Sequence, residues 1–99
     1  MRTLLRVKIP VERGNETISN GRLPQIMEQT LAELKPEAAY FLPDAGCRSA
    51  FIVFDLKDTA DIPKITERFF MELNAEVEMT PVMNADDLKK GLSQLKPSA

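Results

Sequence analysis

At 99 residues, 43% hydrophobic and 28% charged, the chain has the composition of one small globular domain and is too apolar for a disordered tail. Its net charge of −2 gives no basic field to gather phosphates, which argues against nucleic acid, and no apolar run approaches the roughly 18 residues a membrane span needs. No His and one Cys leave no internal disulfide and no ordinary zinc site, so the sequence reads as a cytoplasmic protein with no cofactor and no metal.

The opening RTLLRVKIP alternates as a half-buried strand does, with Leu5, Val7 and Ile9 on one face and Arg2, Leu4, Arg6 and Lys8 on the other. Its short, charge-interrupted apolar run reads as a strand and not as a secretory leader. Pro10 ends it, and VERGNE reads as a loop, with Gly14 and Asn15 as turn and cap signals. From about Asn15 to Lys35 the period becomes helical, with Leu23, Ile26, Met27, Thr30, Leu31 and Leu34 at spacings of three and four and Asn15 or Asn20 as cap; Gly21 and Pro24 predict a broken first turn and a regular helix from about Leu23.

Pro36 stops that helix, Glu37 to Leu42 reads as a short strand ended by Pro43, and PDAG as a tight turn with Gly46 in the left-handed conformation. Cys47 to Leu56 returns antiparallel to it. Ala50, Phe51, Ile52, Val53 and Phe54 do not alternate, so both faces of this third strand need cover. A second helix follows in DTADIPKITERFFMEL, with Ile62, Ile65, Phe69 and Leu73 on one stripe, Phe70 beside it, a cap from Asp58, Thr59 or Asp61, and a late start at Pro63. NAEVEMTPVM is the fourth strand, with Val77 and Met79 opposite Glu76, Glu78 and Thr80. Asn84 caps a last short helix striped by Leu88, Leu92 and Leu95.

The order βαββαβ plus one helix predicts a single α+β domain over residues 1–99. It is a ferredoxin-like, four-stranded antiparallel sheet of order 4-1-3-2 with both main helices on one face. Pro36, Pro43 and Pro81 then fall on the two edge strands, where a missing amide is tolerated. The bare face of such a sheet would carry Leu4 with Phe51 and Val53, or alternatively Ile52 and Phe54. A second copy packed sheet to sheet covers it most economically, which predicts a homodimer.

The element order, the FIVFDL strand running into a helix and the closing NAEVEMTPVM resemble the dimeric α/β-barrel superfamily of ferredoxin-like proteins. Within it, the run from Phe51 through Met83 is similar to a muconolactone isomerase pattern of a "VFD" strand, a helix and an acidic last strand. The resemblance implies a homodimeric barrel with an internal ligand site. Members that bind haem through His, those that use a His and Asp pair, and cofactorless monooxygenases with Trp and Asn are set apart, since this chain has neither His nor Trp.

Arg6 and Lys8 share a face of the first strand, and Glu76 and Glu78 a face of the fourth, its neighbour in that order. Two cations beside two carboxylates suit a small organic acid held by Arg6 and Lys8. They also suit cofactor-free proton transfer on an organic acid or lactone with Glu76 or Glu78 as base. Cross-strand ion pairing is the bland alternative. Tyr40 and Arg48 are further ligand-binding candidates, against an edge tyrosine that only packs its ring. Cys47 beside Arg48 reads as an inert strand residue. Phe69, Phe70 and Met71 are a cleft lining or, more simply, core. Asp55, Asp58, Asp61, Asp86 and Asp87 read as residues flanking helix starts. The function expected is a ligand-binding homodimer, with an isomerase or a non-catalytic accessory or stress-related module of a larger assembly as alternatives.

Overall fold

A computed structural model describes residues 1–95. Strand β1 (Arg2–Ile9) buries Thr3, Leu5, Val7 and Ile9 and turns Arg2, Leu4, Arg6 and Lys8 the other way. It is followed by α1 (Val11–Ser19), α2 (Arg22–Leu34), β2 (Ala38–Asp44), β3 (Cys47–Asp55), a 3₁₀ turn (Thr59–Asp61), α3 (Ile62–Leu73), β4 (Glu76–Pro81) and α4 (Ala85–Ser93). The four strands form one antiparallel open sheet in the order β2-β3-β1-β4.

The expected VERGNE loop is a helix. Pro10, extended at φ −56° and ψ 141°, starts α1 with its carbonyl accepting from Gly14 N–H at 2.9 Å. The buried face of α1 is Gly14 and Thr17, with no large apolar residue to advertise it. Thr17 Oγ1 donates to Arg13 O at 2.8 Å, so its hydroxyl is satisfied inside the fold. At Gly14 a Cβ would lie 2.7 Å from Arg48 Nη1, the mobile end of an arginine side chain that would have to swing aside. Neither proposed asparagine caps α2 as its N-cap residue, which is Gly21, although Asn20 Oδ1 accepts from Arg22 N–H at 2.9 Å.

Strand β2 also runs further than expected, through Pro43 to Asp44. As an edge strand it has one free side, and a proline ring there forfeits no ladder bond that water cannot replace. Ala45 (φ 50°) and Gly46 (φ 81°) then make a two-residue hairpin loop with both φ positive, a conformation in which glycine meets no Cβ penalty.

Helices α1, α2 and α3 lie together on one face of the sheet over Leu5, Val7, Ile9, Ala50, Ile52 and Phe54, and supply Leu23, Ile26, Ile65, Phe69 and Leu73 to the same core. Their rims are tied by charge. Arg22 Nε donates to Glu72 Oε1 at 2.6 Å, Arg13 Nε to Glu72 O at 2.8 Å, and Arg68 Nη2 to Glu33 Oε2 at 2.6 Å. Asp58 Oδ1 accepts from Ala60 N–H at 2.9 Å and opens the 3₁₀ turn, so α3 starts late, at Ile62, with proline in its first turn. Of the Phe69, Phe70 and Met71 run only Phe69 is core; Phe70 and Met71 point outward.

At the other end of the chain α4 begins with a reciprocal capping box. Asp87 N–H donates to Asn84 Oδ1 at 2.8 Å and Asn84 N–H to Asp87 Oδ2 at 3.1 Å. Arg2 Nη1 holds the same Asp87 at 2.8 Å, while its Nε holds Glu37 at 2.6 Å. The Glu37 hydrogen bond first, then the charges of Glu37 and Asp87, raise the Arg2 pKa above its ordinary value. Beyond this anchor α4 buries nothing, and Leu88, Leu92 and Leu95 stand 47%, 56% and 68% exposed. The molecule is consequently elongated, 62 Å by 28 Å by 18 Å.

Candidate functional site

The third strand's unbroken apolar run is divided by its register. Ala50, Ile52 and Phe54 lie under the helices, whereas Phe51 and Val53 lie on the opposite sheet face. Of the two alternatives for the bare face, Leu4, Phe51 and Val53 are therefore on it, and Ile52 and Phe54 are core. Among the described residues, no helix packs across that face.

Antiparallel pairing arranges its side chains in rows across the sheet. Ala38, Val53, Leu4 and Thr80 form an uncharged row; Tyr40, Phe51, Arg6 and Glu78 form the next; Leu42, Ser49, Lys8 and Glu76 follow. The residues Arg6, Lys8, Glu76 and Glu78 thus come together, around a recess of about 270 Å³ that Phe51, Ser49 and Asp44 also line. The Arg6 guanidinium carbon lies 4.9 Å from the Phe51 ring centroid, within the range of a cation–π contact. Arg6 Nη1 approaches Glu78 Oε2 only to 4.0 Å. Lys8 and Glu76 face each other in register, yet among the described residues they form no ion pair within 4.0 Å. Cross-strand pairing in this recess is therefore loose. An exposed pair at such a distance contributes little to stability.

Tyr40 stands at the β2 edge of the Arg6 row with 68% of its surface exposed, so it flanks the recess without reaching the charges. Arg48 does not join them. Its position alternates onto the helix face, where Nη2 donates to Asn15 Oδ1 at 3.1 Å and Nη1 to Val11 O at 3.5 Å. Sequence reading missed Ser49 and Asp44. Ser49 was recoverable, because it lies two positions before Phe51 and so shares its face, but Asp44 sits in a stretch taken for a turn.

Two further hollows lie elsewhere. The larger, about 510 Å³, lies between the end of α2 and the start of α3. Its carboxylates are already engaged: Asp61 with Lys64 at 3.3 Å, Glu33 with Arg68, and Asp55 with the Met1 amino group at 2.6 Å, which lowers the Asp55 pKa. An apolar groove of about 360 Å³ runs between α2 and β2 along Leu23, Met27, Phe41 and Pro43. The sheet-face recess combines loosely paired cations, carboxylates and an aromatic wall, and is the better candidate for recognising a small molecule.

Among the described residues no cluster of His, Cys, Asp and Glu is suited to a metal ion, and no helix is long and apolar enough to cross a membrane. Compared with family models, curated proteins and solved structures, the chain matches none of them.

Proposed function

We propose that the chain is one half of a ferredoxin-like dimeric α/β barrel, and that the face between the two sheets binds a small organic acid through Arg6 and Lys8. One observation carries this reading: in the recess on the open sheet face Arg6 is paired with Glu78 only loosely, at 4.0 Å, and Lys8 forms no ion pair within 4.0 Å among the described residues. A bound carboxylate would receive charge-assisted hydrogen bonds from both, with the Phe51 ring as an apolar wall. Glu78 beside Arg6 also provides the carboxylate and cation that proton abstraction with enolate stabilisation needs, so an isomerase acting on an organic acid or lactone is the catalytic form of the same proposal.

The test is calorimetric titration of a panel of small mono- and dicarboxylic acids against the native chain and Arg6→Ala. A hydrogen bond to a charged group is worth about 1.5–3 kcal/mol, so the variant should bind its acid about tenfold to a hundredfold more weakly. Its melting temperature should stay within a few degrees of native, because the side chain is exposed and loosely paired. Equal affinity in the two proteins, or no acid bound by either, rejects the ligand reading.

The exposed leucine stripe of α4 favours a second reading, an accessory module of a larger assembly that docks through this helix. Deleting residues 84–99 should then abolish association above the dimer and spare the dimer itself. Loss of the dimer in that deletion would assign α4 to the dimer contact instead.

A further inference from the structure

Resting on the organic-acid reading above, we infer that the acid held in the sheet-face recess also carries an ammonium group, so that the ligand is a zwitterionic α-amino acid. The recess has both halves of such a site. Strand β1 presents Arg6 and Lys8 two positions apart, and β4 presents Glu78 and Glu76 opposite them in register. Directly opposed side chains on antiparallel strands stand about 4.5–5.5 Å apart at Cβ. A strip of two cations therefore runs beside a strip of two carboxylates.

The strips do not close on each other. Arg6 Nη1 stops 4.0 Å from Glu78 Oε2, beyond the roughly 2.7–3.2 Å of a hydrogen bond. Among the described residues Lys8, Glu76 and Asp44 form no ion pair within 4.0 Å. The donors of β1 and the acceptors of β4 thus keep their hydrogen-bonding capacity for a third party.

The balance of charge decides against a plain acid. Asp44, Glu76 and Glu78 are three carboxylates against the two cations Arg6 and Lys8. A carboxylic acid docked on the cations would bring another carboxylate beside Glu76 and Glu78, and like charges so placed repel. An ammonium on the ligand removes that conflict, because it donates to the same carboxylates that would repel the acid. An amine alone would satisfy β4 and leave β1 unused. In an α-amino acid the two groups share one carbon, which matches cations and carboxylates that are neighbours across a single strand pair. The recess, about 270 Å³, lies just under the roughly 300–1,000 Å³ of drug-sized pockets and suits a molecule this small. Phe51, 4.9 Å from the Arg6 guanidinium carbon, bounds it on the β3 side with an apolar surface.

Calorimetry with matched ligands tests the inference. Glycine, leucine and phenylalanine are each titrated beside the carboxylic acid that lacks the ammonium and the amine that lacks the carboxylate. The native chain should bind at least one amino acid about tenfold or more tightly than its acid and its amine, the effect of one further charge-assisted hydrogen bond. Glu78→Gln should weaken that amino acid about tenfold and bind the plain acid no more weakly than the native chain does, whereas Arg6→Ala should weaken both. An acid bound by the native chain as tightly as its amino acid overturns the inference and leaves the organic-acid reading standing. An amine bound as tightly as its amino acid, or an amino-acid affinity that Glu78→Gln leaves unchanged, also overturns the inference. Binding of neither acids nor amino acids overturns both.

Discussion

Phe69→Ala should remove about 3–5 kcal/mol of folding stability, the cost of deleting a fully buried aromatic ring and leaving a cavity behind. Phe69 projects from the inner face of α3 and is fully buried in the cluster that holds Leu5, Val7, Ile26, Ile52 and Leu73. Small domains hold only about 5–15 kcal/mol in total, so the loss is about a fifth of the reserve or more. At roughly 4–8 °C per kcal/mol for a domain of this size, the melting temperature should fall by more than about 12 °C. Phe70→Ala is the internal comparison, because that ring stands 42% exposed and should cost much less. Urea titrations of both variants check the contrast. Similar losses would mean that α3 is rotated from the position described.

The reason Phe69 and Phe70 separate so cleanly is also the reason much of this fold is legible in the sequence. Wherever large apolar residues keep a period, in β1, α2 and α3, the buried set follows from spacing alone. Leu5, Val7 and Ile9 of β1 and the Leu23–Leu34 stripe come out on the faces expected. The hairpin was equally readable, since Gly46 next to Ala45 permits two positive φ angles in a two-residue loop.

Two kinds of position defeated the reading. Helix α1 buries Gly14 and Thr17, and small residues that let a helix sit close to a sheet leave no hydrophobic period to detect. Arg48 reads from the sequence as one more cation able to hold an organic acid. Its direction is set by parity in β3, which places it with Ala50 and Ile52 under the helices, where the α1 nobody would predict supplies Asn15 and Val11 as acceptors. The missing helix and the misplaced arginine are one error. By contrast Arg6, Lys8, Glu76 and Glu78 were placed together correctly, since strand parity and the β1–β4 pairing decide their neighbourhood without any helix.

What parity could not decide was which half of the third strand's apolar run lies on the open face, and on that rests the largest effect expected of any single substitution. If the sheets pair as proposed, Val53→Asp should convert that dimer to monomer. Val53 lies half-buried on the open face, opposite Leu4 in register, and away from every residue of the helix-side core. An unpaired carboxylate forced between two sheets costs several kcal/mol, and a twofold interface contains the change twice. A total of about 6 kcal/mol would raise the dissociation constant on the order of 10⁴-fold, enough to abolish a micromolar dimer at any practical concentration. The monomer should remain folded, with native far-ultraviolet circular dichroism, because nothing on the helix side has changed. Light scattering across a dilution series of native and variant chains reads the outcome directly. A native chain that is monomeric throughout removes the need for a partner on this face. A Val53→Asp chain that stays dimeric would place the contact elsewhere on the molecule, with the exposed leucines of α4 the first surface to substitute.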